Sequence, residues 1–440
     1  MAHAKRVSHA ISSAAVSERD LDVVVFGATG VTGRRVAAYL AERAPETALR
    51  WAAAARDPAK LEGVLGEVGA SAPETIAADV DDADSLAAMA SRTRVVLNLV
   101  GPYTTYGRPV IEACVACAAH YVDLTGEIPF VRRIIDDFDS RAADAQIKLV
   151  QVCGFEALPP DLSVLLAAEA ARERWDEDLS EAELHVSLTR PPGLPRPSDM
   201  VSGGTAQSMV AATGGEDSSS IADPAALIPD AAVAAEIRSR SPISIMPRRS
   251  PRGAVVAPMA PAAFINPAVI HRTAWLLAAE SGANGRPFHY HEGVSLSGSA
   301  ASLPLRLAAA GALAGAQAAL GRVARAQPSV RRRVAGALGA ILPSSGYGPA
   351  AERLEAWGWR MSLEARTTGG HKVGVEVESE GHPGYLATAR MLGEAGLLLA
   401  EPGLTPERAG CLTPAAALGT ACVERFEHAR LRFAVSPEHP

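Results

Sequence analysis

The sequence is poor in cysteine and in aromatic residues, and it has no strong excess of charge of either sign. Five cysteines among 440 residues form an odd and sparse set, which argues against a disulfide framework and for a reducing compartment. The 42 Lys and Arg against 49 Asp and Glu give a net charge of −7. Such a chain has no general attraction for phosphate polymers, so we expect no nucleic-acid partner.

Long uninterrupted apolar runs are also scarce. Residues 1–21 contain no apolar core of signal-peptide length, so we expect a loose tail there and a cytoplasmic protein. Two Ala/Leu-rich runs in 305–342 are interrupted by Arg322, Arg325 and the arginines at 331–333, which argues against a membrane span. We expect a buried or surface-lying helical pair. Because helices with basic flanks can lie on membrane surfaces, peripheral contact with lipid is one hypothesis.

Several catalytic signatures are absent. The sequence has no Gly-x-Ser-x-Gly elbow, no His-Glu-x-x-His and no Walker A motif, so hydrolase, zinc-protease and P-loop functions lose their usual support. Cys114, Cys117 and His120 have the spacing of a ligand set, but they lie in a helical stretch without a fourth partner. Small cysteines commonly fill cores, so we expect no metal site.

The length of the chain predicts two or three domains. Over 22–166, short apolar runs alternate with helix-like stretches, which predicts an α/β Rossmann domain with a doubly wound parallel sheet of about six strands. A stiff, proline-rich connection follows Arg190. We therefore predict a second, mixed α+β domain over 167–383 that binds the substrate.

Strand-like segments in this second domain are few and separated by polar loops. They are residues 181–189, 253–259, and the pair 357–366 and 371–379, which flanks a Thr-Thr-Gly-Gly turn and predicts a hairpin. The Ser-, Pro- and Ala-rich region 212–252 is predicted to be a loop or lid.

A glycine-rich turn gives the clearest functional signal. The run Gly27-Ala28-Thr29-Gly30-Val31-Thr32-Gly33 directly follows an apolar strand and directly precedes an amphipathic helix. In a dinucleotide-binding fold the first glycine allows the tight turn, the second lets the backbone approach the pyrophosphate, and the third lets the helix pack closely. The helix start offers free N–H groups and a positive dipole end. We predict that Gly27, Thr29, Gly30, Val31, Thr32 and Gly33 bind a dinucleotide.

The end of the second strand indicates which dinucleotide binds. No carboxylate ends this strand, where an acid would hold the ribose 2′-hydroxyl of NAD. Arg56 and Lys60 can instead clamp a 2′-phosphate, which favours NADP, although both also suit a solvated helix start. Asp57, which precedes Pro58, is predicted to cap the next helix. Asp79 can meet the adenine or simply close a turn.

The run 95–107 places two tyrosines just past the carboxyl end of a core strand, where open α/β sheets bind ligands. Tyr103 and Tyr106 are the candidate catalytic residues, because a tyrosine there can donate a proton or polarise a carbonyl; packing beneath the loop is the alternative. Asn98 must find partners if buried, either in the backbone of the next loop or in the cofactor ribose. Gly101 joins it as a cofactor-binding candidate.

Candidates for substrate binding lie in two further segments. Phe155 and Glu156 follow another strand, and Glu156 can face the cleft, while Asp161 is predicted to cap the following helix. Ser202 and Thr205 belong to a Ser-Gly-Gly-Thr run before an apolar stretch. They can present polar groups to a substrate carbonyl or thioester, and plain helix capping explains them equally well.

Together these segments resemble the saccharopine dehydrogenase-like oxidoreductases, most closely the branch of trans-acting enoyl reductases. The resemblance extends over about 25–430. The motifs that carry it are GATGVTGR (27–34), VVLNLVGPYTTYG (95–107), ACVACAAHYVDLTGE (113–127), CGFEALPPDL (153–162), SGGT (202–205), HPGYLATARMLGEAGLLLA (382–400) and CLTPAAALG (411–419). It implies an NADP-type Rossmann domain, an inserted α+β domain, and a C-terminal segment, 384–435, whose helix begins near Tyr385 and returns to the first domain.

The resemblance also implies hydride transfer from NADPH to an activated C=C bond. In this branch the substrate is an enoyl thioester presented by a polyketide synthase or an acyl carrier protein, in polyketide or lipid biosynthesis. The saccharopine branch instead reduces an imine, so an imine or ketone reductase is one alternative. A non-catalytic nucleotide-binding scaffold is another. Under the enoyl hypothesis the helices of 305–342 line an acyl pocket, contact lipid, or serve as plain core helices.

Overall fold

The computed structural model describes residues 19–436 except 71, 73, 192–207, 209–217, 251–253, 260–261, 282–286 and 342–350. The first part of the chain alternates strands and helices. They are β1 (Leu21–Phe26), α1 (Gly33–Thr47), β2 (Trp51–Ala55), α2 (Pro58–Glu67), β3 (Thr75–Ala77), α3 (Ala83–Arg92), β4 (Thr93–Asn98), α4 (Tyr103–Ala116), β5 (His120–Asp123), α5 (Ile128–Asp144), β6 (Lys148–Val150) and α6 (Leu158–Trp175).

The middle of the chain contains the second set of elements. They are β7 (Leu179–Thr189), α7 (Ala231–Arg240), β8 (Arg248–Arg249), β9 (Val255–Ala257), α8 (Asn266–Ser281), β10 (His289–Leu296), α9 (Leu303–Ala324), α10 (Pro328–Ile341), α11 (Ala351–Glu355), β11 (Gly358–Thr367) and β12 (Lys372–Glu380). The C-terminal part adds α12 (Thr388–Ala400), β13 (Gly410–Leu412), α13 (Pro414–Leu418) and β14 (Leu431–Ser436).

The first sheet has the order β13-β6-β5-β4-β1-β2-β3, and its strand pairs are parallel. Its central strands are buried on both faces, as the near-continuous apolar runs of β1 and β2 require. Six of its strands come from the predicted segment. The seventh, β13, comes from the far end of the chain, which the strand pattern did not anticipate.

The second sheet has the order β14-β12-β11-β7-β10-β9-β8 and is mixed, because β7 and β10 run parallel while its other pairs are antiparallel. The predicted hairpin is confirmed as β11 and β12. Buried and exposed residues alternate along β11, so one face of this sheet meets α6 and the other carries polar residues.

The C-terminal helix α12 returns to the first sheet, where it packs against α1 and β4. The buried carboxylate of Glu394 joins it to α1, since it accepts a hydrogen bond of 2.5 Å from the Tyr39 hydroxyl and lies 3.5 Å from Arg43 Nε. Arg425 reaches the same carboxylate at 3.2 Å. The predicted fold class is confirmed: a doubly wound Rossmann sheet, a second mixed α+β unit and a returning C-terminal helix. The exact domain boundaries stay predictions.

One expectation about the middle of the chain is wrong in part. The predicted loop or lid of 212–252 contains helix α7, whose first turn is capped by Asp230 through the amides of Ala232 and Val233. An Ala-rich segment can form a helix as readily as a loop. Here the capping hydrogen bonds of Asp230 stabilise the start of a helix. For the Ala/Leu-rich helices a buried and a surface-lying pair were both expected; α9 is of the surface-lying kind and not a plain core helix, because most of its residues are exposed.

The stretch 300–324, which contains α9, is long and apolar enough to cross a membrane by length and composition, and 11% of its apolar 18-residue core is buried. Arg306 and Arg322 lie near the two ends of the apolar run and do not interrupt it. The arginines are therefore weaker evidence against a membrane span than we expected from the sequence.

Candidate functional site

The glycine-rich turn between β1 and α1 is shaped by backbone contacts that leave no room for side chains. Gly27 has φ of +88°, and a Cβ there would lie 3.0 Å from the carbonyl carbon of Leu99 in the loop after β4. A Cβ on Gly33 would lie 2.2 Å from the Gly27 carbonyl oxygen. Both glycines are therefore required for the turn to fold against the sheet edge and for α1 to start where it does.

This turn also offers hydrogen-bond donors to an anion. In the described part of the chain, the amides of Val31 and Thr32 donate to no backbone acceptor. They stand at the amino end of the 15-residue helix α1, whose dipole favours a negative charge. At Gly30 a Cβ would approach only the Gly27 oxygen, at 3.3 Å. The residues thus fit a bound pyrophosphate, and the role of Gly30 on its approach path stays a prediction.

At the end of β2, Arg56 and Lys60 are both exposed, as a clamp for an incoming phosphate requires. Asp57 is confirmed as a helix cap, since its Oδ1 accepts a hydrogen bond of 3.1 Å from the Lys60 amide. Its carboxylate is thereby occupied by α2. Asp79 Oδ1 accepts from the Asp81 amide at 3.1 Å in the turn after β3. The adenine contact of Asp79 stays a prediction.

A chain of buried hydrogen bonds runs across the carboxyl ends of β4 and β5. Asn98 Nδ2 donates to the Tyr121 hydroxyl at 3.0 Å, and that hydroxyl donates to Asp123 Oδ2 at 2.8 Å. Asn98 Oδ1 accepts from the Val100 amide at 3.0 Å, which confirms the expected partner in the next loop. The chain fixes the loop after β4 relative to β5.

Asp123 holds the two neighbouring loops at the same edge. Its Oδ1 accepts hydrogen bonds from the amides of Thr125, at 3.0 Å, and Val152, at 3.3 Å. Burial raises the pKa of Asp123 to about 7 even though these hydrogen bonds favour its charged form. A carboxyl group with a pKa near neutral thus accepts the hydrogen bonds that hold the loops after β5 and β6.

The two candidate tyrosines differ in exposure. Tyr103 is buried; its hydroxyl donates to the Asn98 carbonyl at 3.2 Å and accepts from the Leu124 amide at 3.4 Å. Burial raises the pKa of Tyr103 well above its ordinary value. Tyr106, one turn later on α4, is 36% exposed. Tyr103 thus packs beneath the loop, the alternative considered for it, whereas Tyr106 is accessible. The catalytic role of either tyrosine stays a prediction.

Glu127 is a site residue that the sequence reasoning missed. Its carboxylate accepts hydrogen bonds from the amides of Tyr103, at 2.9 Å, and Thr104, at 2.7 Å, and so caps α4 from another segment. A remote cap is needed because Pro102, which precedes the helix, has no capping side chain. The signal was the alternation of polar residues at 123, 125 and 127, which begins at the last residue of β5.

Phe155 and Glu156 lie in the loop between β6 and α6. The Phe155 ring meets the edge of the Trp359 ring at a centroid distance of 4.9 Å, which joins this loop to the second sheet. The Phe155 amide donates to Thr388 Oγ1 at 3.1 Å. Burial raises the pKa of Glu156, and its charge also acts on Tyr103. Glu156 therefore lies in the loop at the carboxyl end of β6.

Asp161 does not cap its helix, which corrects the prediction. Helix α6 begins three residues earlier, with Pro159 and Pro160 in its first turn, so Asp161 falls too late to reach free amides. Its buried carboxylate instead accepts hydrogen bonds from Thr273 Oγ1 at 2.6 Å and the Ala415 amide at 2.8 Å. Burial raises the pKa of Asp161 to about 7.

Three further predictions concern Gly101, the pair Ser202 and Thr205, and a metal site. Gly101 lies in the loop after β4, beside the Tyr103 ring. Ser202 and Thr205 lie outside the described residues. The candidate metal ligands Cys114, Cys117 and His120 form no cluster suited to a metal, and no other such cluster occurs in the part of the chain that the structure describes.

Comparisons with known proteins agree with this geometry. The family model of the saccharopine dehydrogenase NADP binding domain matches residues 23–150. The chain is 35% identical over 424 residues to a Mycobacterium tuberculosis protein assigned to the trans-acting enoyl reductases, an alignment that covers 93% of this chain and 96% of that protein. It is 31% identical over 427 residues to the trans-acting enoyl reductase of Mycobacterium ulcerans, with the same coverage.

A solved structure is similar over most of the chain. It is the apo, histidine-tagged saccharopine dehydrogenase (L-Glu forming) of Saccharomyces cerevisiae, with a TM-score of 0.48 and 12% identity. The similarity covers 94% of this chain and 100% of that one.

Proposed function

The chain belongs to the family of the trans-acting enoyl reductases and is an NADP-dependent oxidoreductase, and on this basis we propose that it reduces the C=C bond of an enoyl thioester. The substrate class is a polyketide or lipid intermediate attached to a carrier. The observation that supports this most directly is the arrangement around the first sheet. The glycine turn at Gly27–Gly33 fits a pyrophosphate, and the loops after β4, β5 and β6 meet at the same edge.

Reduction of an enoyl thioester requires the protein to perform three chemical tasks. NADPH, when bound, supplies a hydride to the β-carbon. The protein must then stabilise the negative charge on the thioester oxygen, deliver a proton to the α-carbon and exclude water. In this proposal the reaction takes place at the edge where the buried hydrogen-bond chain of Asn98, Tyr121 and Asp123 fixes the loops.

Two side chains at this edge can supply the proton or a hydrogen bond to the oxygen. Tyr106 is accessible, and Glu156 has a raised pKa that favours its protonated, donating form. We assign the proton to one of these two residues. Tyr103 positions the loop instead, because its hydroxyl is hydrogen-bonded to backbone on both sides.

The name of the relatives describes an enzyme that acts in trans. We propose the same arrangement here: the substrate arrives on an acyl carrier protein or on a polyketide synthase that is a separate chain.

The first experiment measures binding of NADPH and NADH to wild type and Arg56→Ala by intrinsic tryptophan fluorescence. We expect wild type to bind NADPH at least about tenfold more tightly than NADH, a difference of about 1.4 kcal/mol, and Arg56→Ala to lose the preference. Arg141→Ala, which removes another exposed arginine, is the matched control and keeps it. An unchanged preference in Arg56→Ala would remove this residue from the clamp.

The second experiment follows NADPH oxidation with enoyl thioesters, cyclic imines and ketones as acceptors. We expect turnover with enoyl thioesters, faster when they are carried on an acyl carrier protein than on a small thiol. Turnover with imines or ketones alone would replace the proposed substrate class. Nucleotide binding without turnover of any acceptor would favour the scaffold hypothesis.

The acid is identified by comparing Tyr106→Phe with Glu156→Gln. If Glu156 is the donor, wild-type activity falls as the pH rises through its raised pKa, and Glu156→Gln loses both rate and that pH dependence. If Tyr106 is the donor, Tyr106→Phe loses rate instead, whereas Glu156→Gln keeps it.

A further inference from the structure

Helix α9 attaches to the protein by one narrow stripe. Its buried residues are Ala310, Gln317, Gly321 and Ala324. Ala310 joins a small apolar cluster with Val255 and Ala257 of β9. At Gly321 the helix passes the Phe264 ring so closely that a Cβ would lie 3.5 Å from it. The stripe holds the helix along the body of the protein and leaves its opposite face to the surroundings.

The opposite face is apolar. No charged residue occurs between Arg306 and Arg322, a stretch made of alanine, glycine and leucine with one glutamine. Leu305 is 74% exposed and Leu307 is 45% exposed. With 22 residues, α9 extends about 33 Å, so this is a long apolar strip on the outside of the protein. Exposed apolar surface of this extent indicates an interaction site.

The charge along this segment of the chain has one sign. Residues 293–351 contain six arginines and no aspartate or glutamate, in a chain whose net charge is −7. Four of these arginines are exposed at the end of α9 and the start of α10: Arg322, Arg325, Arg332 and Arg333. Among the described residues, none of the four has a carboxylate within ion-pair distance.

We propose that the α9–α10 surface, which consists of the exposed strip from Leu305 to Ala319 and these four arginines, docks on the surface of an anionic lipid bilayer. An apolar helical strip beside unpaired arginines matches the boundary between acyl chains and anionic headgroups. The helix lies on the bilayer and does not cross it, because crossing would pull the buried stripe off β9 and Phe264. A second copy of the chain fits less well, since its own arginines would repel the first set.

The test is sedimentation of the full-length protein with vesicles, and it requires neither substrate nor turnover. One set of vesicles contains phosphatidylcholine with about one third phosphatidylglycerol, and the other contains phosphatidylcholine alone. We expect binding to the anionic vesicles, at least about tenfold weaker binding to the neutral ones, and release at about 1 M NaCl, where the Debye length falls to about 3 Å.

Charge reversal tests the arginines. Each arginine near an anionic surface strengthens binding about fivefold, so Arg322→Glu with Arg325→Glu is expected to weaken binding by about 25-fold or more. The matched control is Arg141→Glu with Lys372→Glu, which changes the net charge equally at two other exposed positions. The control is expected to bind within about twofold of wild type. Equal losses in the two double variants would overturn the proposal.

A second pair tests the apolar strip. Leu305→Ser removes a side chain that is 74% exposed, and Met246→Ser removes one that is 72% exposed elsewhere on the surface. We expect Leu305→Ser to weaken vesicle binding severalfold and Met246→Ser to leave it unchanged, with NADPH binding intact in both as evidence of folding.

Three other results would overturn the proposal. They are no binding to anionic vesicles, a dimer in light scattering that Leu305→Ser dissociates, and retention in the vesicles after washing at high salt and alkaline pH. The second would assign the strip to a second copy of the chain, and the third to a spanning helix. Because NADPH binding and turnover are separate readouts, none of these outcomes bears on the proposed reductase activity.

Discussion

The two sheets of this protein place their polar residues differently. In the parallel sheet, β1 and β2 are buried on both faces, and polar side chains such as Asn98 and Asp123 occur at the carboxyl ends of strands. In the mixed sheet, polar residues occur along whole strands of one face, including Glu183 and His185 on β7. The candidate site residues therefore concentrate at one edge of the first sheet. In the second sheet the position of a polar side chain does not tell whether it is functional or merely solvated.

The regions of this protein also differ in whether local sequence or contacts between distant segments determine their structure. The cofactor turn follows from local sequence, because a few adjacent residues determine the backbone. The region between the sheets depends on contacts between distant segments, such as the carboxylate of Asp161 with Thr273 and Ala415. Substitutions at each kind of position should differ in size and in what they damage.

The largest effect is expected where a distant segment covers the parallel sheet. Glu394→Ala removes the buried carboxylate that Tyr39, Arg43 and Arg425 share. The Tyr39 hydroxyl and the Nε of Arg43 then stay buried without it, although Arg43 keeps Glu46 and Arg425 keeps Glu401. We expect a loss of about 3–5 kcal/mol in the free energy of unfolding, measured by urea denaturation. Glu401→Ala, which removes an exposed partner of Arg425, should cost less than about 1 kcal/mol. Similar losses in both variants would contradict the role of burial.

A smaller effect, confined to binding, is expected at the glycine turn. Gly33→Ala places a methyl group 2.2 Å from the Gly27 oxygen, so the turn or α1 must shift. We expect NADPH affinity to fall at least about 100-fold, or about 2.7 kcal/mol, by fluorescence titration. Gly63→Ala adds the same methyl group to helix α2, where nothing lies within 4 Å, and should leave affinity unchanged. Full affinity in Gly33→Ala would argue against this turn as the pyrophosphate site.

The third prediction concerns pH and the region between the sheets. Burial raises the pKa of Asp161 from 3.8 to about 7, so between these values the folded protein keeps a proton that the unfolded chain releases. Stability from this group is complete below about pH 4 and is lost as the pH rises to about 7, by about 1.4 kcal/mol per pH unit.

Asp161→Asn should remove this contribution to the slope, because the amide stays neutral while its oxygen accepts from Ala415 and its nitrogen donates to Thr273 Oγ1. Unfolding in urea at several pH values between about 5 and 7 measures it. Asp144→Asn, at an exposed position of α5, is the control and should keep the wild-type slope. The same slope in Asp161→Asn would show that Asp161 holds no proton in the folded state.

The smallest effect is expected at the cap of α2. Asp57→Ala removes the acceptor of the Lys60 amide and should lower the free energy of unfolding by about 1 kcal/mol. NADPH affinity should change by less than about twofold, because the carboxylate serves the helix. A large gain or loss of NADH affinity in this variant would instead assign Asp57 to the ribose.

The sequence predicted correctly those features that short segments of the chain determine. The turn at 27–33, the cap at Asp57 and the loop partner of Asn98 each involve residues within a few positions of one another. It missed Glu127 as the cap of α4 and misplaced Asp161, because their partners lie 24 and 254 residues away in the chain. Helix α9 was ambiguous for another reason: alanine suits a core and a surface alike, so its periodicity carries little information.

The seventh strand of the parallel sheet has a consequence for synthesis on the ribosome. Strand β13 and helix α12 are made after the whole second sheet except β14, yet they pair with β6 and cover β4 and α1. During synthesis the amino-terminal part therefore has an open sheet edge and an uncovered apolar face until residue 412 has emerged from the ribosome. An open sheet edge and an uncovered apolar face favour aggregation, so amino-terminal fragments that end near 166 should aggregate on expression.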